Sequence, residues 1–264
     1  MLKLYQGRLA VCAIKVRLVL AEKGLDFEPV NLNLRAGEQH LPGYLKLNPN
    51  GVVPTLIHDD FVLIESSVIM QYLDEVFPGQ ALQPSDPKDR ARMRIWMKRV
   101  DEYLHPGNAT LTYAMVHAAE MRSKSPEELE AYYRGIPNPA TRARQRAAIE
   151  QGMDAPEAMQ ALQFYNKALT DMDRQLAQHP WLAGDSYSLA DAAVTPYINR
   201  FTMLTLSNLW TESRPNVAAW FERIRARPSY QTAIAAFVTE ADLKAYAGLQ
   251  DWAWSKVQSL LSAA

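Results

Sequence analysis

The chain has 264 residues and 48% of them are hydrophobic, which is enough to bury the core of one large domain or of two smaller ones. A net charge of −1 gives no electrostatic basis for binding nucleic acid or an anionic membrane surface. The single cysteine, Cys12, excludes an internal disulfide framework and a multi-thiolate metal site. No apolar run approaches the roughly 18 residues of a membrane helix, and the N-terminus has no cleavable signal, so we expect a cytoplasmic protein.

Strand and helix patterns alternate along the first 78 residues. "LKLYQG" is typical of a strand ended by Gly7, and "CAIKVRLVLAEKGL" of a helix closed by Gly24. A strand in "FEPVNLNL", a short helix in "LPGYLKLN", two strands in "TLIHDDFVLI" and a helix in "SSVIMQYLDEVF" follow. This order, β-α-β-α-β-β-α, predicts an α/β domain over residues 1–78.

The remaining sequence is helical in its pattern. Residues 79–88 contain Pro84 and Pro87 within "PGQALQPSDPKD" and are predicted to be a linker. Residues 89–264 are predicted to form an all-α domain, with a polar middle in which Pro137 and Pro139 break short helices. "SLADAAVTPYINRF" begins with Ser188 and Asp191 at capping-box spacing, which predicts a helix start.

Pro54 stands where the third strand begins, in "LNPNGVVPTL". Proline has no N–H for the hydrogen-bond ladder of a sheet, so it is confined to edges, bulges and strand starts. If the bond before it is cis, Val53 can present both its N–H and its C=O to a visiting peptide. The alternative is a trans proline at an edge strand.

Three motifs in this order resemble those of the soluble glutathione transferases: "NPNGVVPTL", "IESSVIMQYL" and "WLAGDSYSLADAAV". The resemblance implies a thioredoxin-like N-terminal domain that binds glutathione and an all-helical C-terminal domain with a site for a hydrophobic acceptor. It also implies a homodimer, glutathione as co-substrate and no metal. Nucleic acid and membranes are not expected partners.

The resemblance assigns glutathione-binding roles to six residues. It implies that the Val53-Pro54 bond is cis and that the Val53 backbone pairs with the cysteinyl unit of glutathione. Glu65 and Ser66, at a predicted helix start, would meet the γ-glutamyl ammonium and carboxylate. Gln39 and His40 would lie near the glycine carboxylate. Ordinary helix capping by the serines and a solvated loop at Gln39 and His40 are the alternatives.

The group that activates the thiol departs from the common pattern of the family. Cys12 falls where the bacterial beta class has its cysteine, and at a helix start near Lys15 or Arg17 its pKa would be lowered. His105 follows Trp96 by nine residues, as in that class, although Pro106 replaces a lysine. A catalytic Cys12 and His105 compete with a small buried Cys12 and a structural helix-end histidine.

The helical region also resembles that of the bacterial β-etherases, which cleave aryl ethers with glutathione. Tyr103, Tyr113 and Met115 are predicted to line an acceptor pocket suited to flat apolar compounds. The predicted function is therefore a glutathione transferase whose thiolate attacks a hydrophobic, aromatic electrophile. The alternatives are β-aryl ether cleavage, thiol-disulfide exchange at Cys12, and a non-catalytic ligand-binding or interaction protein with the same fold.

Overall fold

The structure is a computed structural model that describes residues 1–262. Its chain divides into two compact units. We call the first the sheet unit; it consists of Met1–Val100, Gln175–Pro196 and Ala219–Val238. We call the second the helical unit; it consists of Asp101–Arg174, Tyr197–Ala218 and the residues from Thr239 onward.

The sheet unit is built on a four-stranded sheet with the order β2-β1-β3-β4. Its strands and first helices are β1 Leu2–Gln6, α1 Val11–Glu22, β2 Glu28–Asn31, α2 Pro42–Leu45, β3 Thr55–His58, β4 Phe61–Leu63 and α3 Ser66–Val76. β2 is parallel to β1, whereas β3 is antiparallel to both β1 and β4. Leu4 and Leu56 face each other in the β1–β3 register and are fully buried. The predicted β-α-β-α-β-β-α order and thioredoxin-like architecture are confirmed.

The segment that follows α3 is fixed to the sheet unit. The Asp74 carboxylate accepts hydrogen bonds from the backbone N–H groups of Leu82 and Gln83, at 2.9 and 3.0 Å. The Lys23 ammonium donates to the same carboxylate at 3.1 Å. Leu82 is buried. The predicted linker over residues 79–88 is thus anchored at its centre, and its use as a domain boundary stays a prediction.

Asp191 lies at the start of α10, Leu189–Met203, where the capping-box spacing predicted a helix start, within the part of the sheet unit from Gln175 to Pro196. Its buried carboxylate accepts from the N–H of Ser188, the N–H of Leu182 and the indole Nε1 of Trp220, each within 3.0 Å. The second bond of a capping box, from the Asp191 N–H to the Ser188 hydroxyl, is absent from the described residues. The Ser188 hydroxyl instead donates to the Asp191 carboxylate and accepts from the N–H of Ala190. The helix start is confirmed, but its cap is only half of a capping box.

The other helices are α4 Pro87–Arg99, α5 His105–Thr112, α6 Ala118–Arg122, α7 Pro126–Gly135, α8 Pro139–Gln151, α9 Pro156–Leu176, α10 Leu189–Met203, α11 Asn208–Thr211, α12 Pro215–Arg225, α13 Pro228–Ala233, α14 Glu240–Ala247 and α15 Ala253–Ser262. The predicted break between helices at Pro137 and Pro139 is confirmed, because α7 ends at Gly135 and α8 begins at Pro139. Pro139 is the first residue of α8, after the Asn138 cap, where its missing N–H costs nothing. Within residues 1–262, no helix is both long and apolar enough to cross a bilayer.

Two π-helical segments, Val100–Leu104 and Tyr113–His117, flank α5 and were not predicted. The first lies directly before His105 and Pro106. Because Pro106 has no N–H to donate to the preceding turn, a local change of helical hydrogen bonding is expected there. His105 and Met115 therefore lie at or beside irregular turns.

Candidate functional site

The loop before Pro54 is fixed by two side-chain hydrogen bonds to one of its backbone carbonyls. The Val52 carbonyl accepts hydrogen bonds from the Tyr44 hydroxyl at 2.6 Å and from Asn48 Nδ2 at 2.8 Å. The Val53-Pro54 bond is cis, which confirms that expectation. Within the described chain, the backbone N–H and C=O of Val53 have no hydrogen-bond partner. Val53 thus offers one donor and one acceptor from a fixed loop.

The start of α3 offers donors to a ligand. Glu65, the residue before the helix, has φ +69°, a left-handed conformation that costs a non-glycine residue on the order of 1–3 kcal/mol. The N–H groups of Ser66 and Ser67 have no acceptor within the helix, because the first intrahelical bonds are those of Val68 and Ile69 to the Glu65 carbonyl. No side chain caps the helix. The Ser67 hydroxyl instead accepts from the buried Lys15 ammonium at 2.8 Å. Ordinary capping by the serine hydroxyls is therefore not what this helix start shows.

A continuous set of contacts connects the predicted glutathione-binding residues. Gln39 Nε2 lies 3.4 Å from His40 Nε2, and the His40 ring hydrogen-bonds to the backbone of Gly51. Next to Gly51, the Asn50 side chain lies 3.4 Å from Glu65 Oε1. The structure thus brings all six predicted residues around the loop that ends at Pro54.

Gln39 and His40 differ in how their polar atoms are satisfied. Gln39 is buried, and its Oε1 has no partner in residues 1–262, while its Nε2 donates to the Leu34 carbonyl. Burial lowers the pKa of His40, and its hydrogen bond to Gly51 offsets part of that effect. At neutral pH His40 is therefore uncharged and links Gln39 to the loop.

Cys12 is the second residue of α1 and is half-buried. The N–H groups of the first α1 turn have no intrahelical acceptor, and no acidic residue lies in that turn, so the positive end of the helix dipole acts on this position. Assistance of Arg17 to a Cys12 thiolate stays a prediction. Arg17 is buried and donates to the Gln6 side chain and to the carbonyls of Arg8 and Ala233, at 2.7–2.9 Å.

Arg17 fixes the loop that leads into α1. Its three hydrogen bonds join the end of β1, the loop between β1 and α1, and the C-terminal end of α13. Burial, together with the nearby charge of Arg8, lowers the pKa of Arg17 to about 9. The Arg17 guanidinium also lies 3.8 Å over the Phe237 ring. Helix α1 and its Cys12 are thereby positioned by the interior of the sheet unit.

His105 opens α5 in the helical unit. Its Nδ1 lies 3.4 Å from the Tyr197 hydroxyl, and the two rings meet edge to face. His105 is half-buried and belongs to the helical unit, whereas Cys12 belongs to the sheet unit. A role for His105 in catalysis stays a prediction.

The three predicted acceptor residues lie in different surroundings. Tyr103 is exposed and packs its ring against Phe164 at 5.0 Å. The Tyr113 hydroxyl bonds to that of Tyr132 at 2.9 Å, in a cluster around Tyr133. Met115 is buried and lines an open pocket of the helical unit. Because residues 113 and 115 point to nearly opposite sides of one helical segment, the structure does not bring them into a single pocket.

Sequence reasoning missed the residues that support the loop, above all Tyr44 and Asn48. Asn48 was visible as the first residue of "NPNG", but its role depends on the fold: its amide donates to Val52 and its oxygen accepts from the Asn50 N–H. Nowhere in residues 1–262 do three potential metal-ligating side chains cluster.

Comparison with known proteins gives a consistent result. The family description "Glutathione S-transferase, N-terminal domain" matches residues 1–75, and "Glutathione S-transferase, C-terminal domain" matches residues 112–228. Protein LigF of a Sphingobium species is 34% identical, over 86% of this chain and 91% of its own length. The tetrachloro-p-hydroquinone reductive dehalogenase of Sphingobium chlorophenolicum is 31% identical, over 87% of this chain and 94% of its own.

The fold is shared with a solved structure. The crystal structure of the β-etherase LigF from Sphingobium sp. strain SYK-6 superposes with a TM-score of 0.80 at 32% identity, covering 89% of this chain and 99% of that protein.

Proposed function

Because this chain belongs to the glutathione S-transferase family, we propose that the loop ending at Pro54 and the start of α3 form its glutathione site. The chain is an enzyme that uses glutathione as co-substrate. The observation that carries the proposal is the placement of Glu65 and Ser66, connected through Asn50 and Gly51 to His40 and Gln39. The alternative of a non-catalytic binding protein is not favoured by the family membership.

Each part of glutathione meets a complementary group in this proposal. The cysteinyl unit pairs with the N–H and C=O of Val53, with Pro54 shaping the turn. The γ-glutamyl carboxylate accepts from the N–H and hydroxyl of Ser66 at the positive end of α3, and its ammonium meets the Glu65 carboxylate. The glycyl N–H donates to the unpartnered Oε1 of Gln39, which His40 holds in place.

The first turn of α1 stabilises the glutathione thiolate through its N–H groups, which have no acceptor within the helix, and through the helix dipole. The thiolate attacks an electrophilic carbon, a C–S bond forms, and the leaving group departs with its bonding electron pair. The acceptor is a hydrophobic aromatic compound, in line with the names of the two Sphingobium relatives. Tyr103, Tyr113 and Met115 stay separate candidates for contact with it, since they do not line one pocket. The name β-etherase favours aryl ether cleavage as the second candidate reaction.

The resemblance to the beta class at Cys12 and His105 supports a third candidate reaction. A Cys12 thiolate attacks one sulfur of oxidised glutathione, forms a mixed disulfide and releases one glutathione thiolate. Intact-mass measurement detects the added glutathionyl group, which reductant removes and which Cys12→Ala does not acquire. An unmodified Cys12 in the folded protein would leave thiolate stabilisation to the N–H groups of α1.

The reaction type is tested by a glutathione-consumption screen over aryl halides, β-aryl ethers, isothiocyanates, peroxides and disulfides. We expect turnover of aryl halides or aryl ethers, and lower turnover in Tyr103→Ala and Tyr113→Ala. Activity confined to polar disulfides, and indifferent to both tyrosines, would contradict the aromatic acceptor and favour exchange at Cys12.

The protein is further proposed to be a cytoplasmic homodimer, as is typical of the family. An apolar patch is formed by Phe61, Val68 and Val76, which are about half exposed, together with Tyr72. The Tyr72 ring lies 5.8 Å from the Phe61 ring, and Tyr72 is on the same side of α3 as Val68 and Val76. A second copy of the chain would bury this apolar patch. Sedimentation analysis of wild type and Phe61→Glu tests this, since a monomeric wild type contradicts it.

A further inference from the structure

Two buried lysine side chains connect α1 with α3, one toward each end of α3. Lys23, the residue after α1, donates to the Asp74 carboxylate at 3.1 Å and to the Asp74 carbonyl at 3.3 Å. Both side chains are almost fully buried. Asp74 lies near the C-terminal end of α3, where the helix dipole also favours a cation. The Lys23 contact therefore stabilises the fold.

Lys15 has the opposite placement. Its side chain is fully buried within α1, and its ammonium donates at 2.8 Å to the hydroxyl of Ser67, the second residue of α3. The positive end of the α3 dipole lies here, so the helix disfavours a cation at this position. Burial of an ammonium away from water is also costly. An anion bound at the start of α3 would offset both costs.

The contact with Lys15 determines how the Ser67 hydroxyl can be used. An ammonium only donates, so the Ser67 oxygen accepts and its own hydrogen remains to be donated. Within residues 1–262 that hydrogen has no acceptor, although Ser67 is buried and its backbone carbonyl accepts from Gln71 Nε2 at 3.1 Å. Because buried donors are normally paired, this hydroxyl indicates an acceptor that a ligand supplies.

We propose that the Ser67 hydroxyl donates to the γ-glutamyl carboxylate of glutathione and that Lys15 is the positioning residue that orients it. The carboxylate supplies the acceptor that Ser67 lacks, and the buried ammonium and the start of α3 both attract its charge. This inference rests on the proposed glutathione site and adds Ser67 and Lys15 to it.

The test compares S-methylglutathione with S-methyl-(4-aminobutanoyl)cysteinylglycine, the same tripeptide without the γ-glutamyl carboxylate, by calorimetric titration of the full chain. Wild type should bind S-methylglutathione more tightly. Lys15→Met should weaken its binding about tenfold and should change the affinity for the analogue by less than about twofold. The ratio of the two affinities is the readout, because a loss of fold stability lowers both affinities together.

Two further variants separate the hydroxyl from the buried charge and from packing. Ser67→Ala removes the hydroxyl and keeps the ammonium, so the ratio should fall about threefold. Lys23→Met is the matched control, since it removes the other buried lysine between α1 and α3. It should lower the thermal unfolding temperature, because Asp74 loses its buried partner, and should leave the ratio at the wild-type value.

Ser66→Ala distinguishes failure of this inference from failure of the proposed site. A wild-type ratio in Lys15→Met or in Ser67→Ala, with a lower ratio in Ser66→Ala, would overturn the roles of Lys15 and Ser67 and leave the site standing. Ser67→Ala decides the question alone if Lys15→Met does not fold. A wild-type ratio in all three variants would refute the placement of the γ-glutamyl carboxylate at α3 and this inference with it.

Discussion

The proposed glutathione site of the sheet unit and the open pocket of the helical unit differ in how far apart in the sequence their residues lie. Val53, Glu65 and Ser66 lie within 14 positions of one another and present mainly backbone groups. Met115 and Lys256, which line the pocket, are 141 positions apart. A site of the first kind leaves a readable motif because a peptide ligand needs fixed backbone partners, whereas a site of the second kind leaves none.

The largest effect should follow from Glu65→Ala and Ser66→Ala, which break the sheet-unit site alone. Each removes a charge-assisted contact to glutathione worth about 1.5–3 kcal/mol, so affinity should fall about ten- to a hundredfold. Calorimetric titration with glutathione measures this.

Glu75→Gln is the control for these variants, because Glu75 is exposed near the other end of α3. It should bind glutathione as wild type does. Wild-type affinity in both Glu65→Ala and Ser66→Ala would end the assignment of the glutathione site.

The second effect concerns Asn48, which supports the same site without touching glutathione in our proposal. Asn48→Ala removes the donor to Val52 and the acceptor for Asn50 from a buried position, which should lower the free energy of unfolding by about 1–3 kcal/mol. Glutathione affinity should also fall, about tenfold, because Val53 is no longer held. Urea unfolding and calorimetry measure the two quantities.

Asn48→Asp distinguishes positioning from simple loss of stability. The aspartate still accepts from the Asn50 N–H but cannot donate to Val52. Because a carboxylate oxygen would face the Val52 carbonyl oxygen at this buried position, Asn48→Asp should lose more glutathione affinity than Asn48→Ala although it keeps the bond from Asn50. Glutathione affinity of Asn48→Asp at or above that of Asn48→Ala would argue against a role in holding Val53.

The sequence predicted the sheet unit well because its signals are local. Gly24 closes α1, alternating residues give the strands, and the Ser188–Asp191 spacing marks the start of α10. It could not predict that Arg17 would be buried and would donate a hydrogen bond to the Ala233 carbonyl, more than 200 positions away. The partner of a buried charge depends on tertiary packing, which no local pattern records.

The helical unit was less predictable for a related reason. Helical periodicity identified an apolar face, but the π-helical turns at Val100–Leu104 and Tyr113–His117 rotate the side chains that follow. Tyr113 lies in the tyrosine cluster and Met115 in the pocket, although both were assigned to one wall, because residues two positions apart point to nearly opposite sides of a helix.

The third effect separates binding from folding at one residue. Glu65 has φ +69°, which glycine adopts freely and alanine does not. Glu65→Gly should therefore be more stable than Glu65→Ala by about 1 kcal/mol, while both lose glutathione affinity to the same extent. Thermal unfolding alongside calorimetry tests this, and equal stability of the two variants would show that the backbone conformation at residue 65 is not strained.

The smallest effect is a pH dependence that belongs to the sheet-unit site. Burial holds the pKa of His40 below its usual range in the free protein. A glycyl carboxylate bound nearby stabilises the imidazolium and raises this pKa, so the complex binds more protons than the free protein does. Glutathione affinity should therefore increase as the pH falls through the interval between the two pKa values, by about two- to fivefold because His40 is only partly buried.

S-methylglutathione is the ligand for this test because it has no thiol to titrate. NMR titration of the His40 ring should show a higher pKa in the complex, and calorimetry should show the affinity rising toward lower pH. His40→Asn should abolish the pH dependence. A His40 pKa that falls on binding would mean that the ligand buries the ring without placing a carboxylate beside it, and the glycyl end would then have to bind elsewhere.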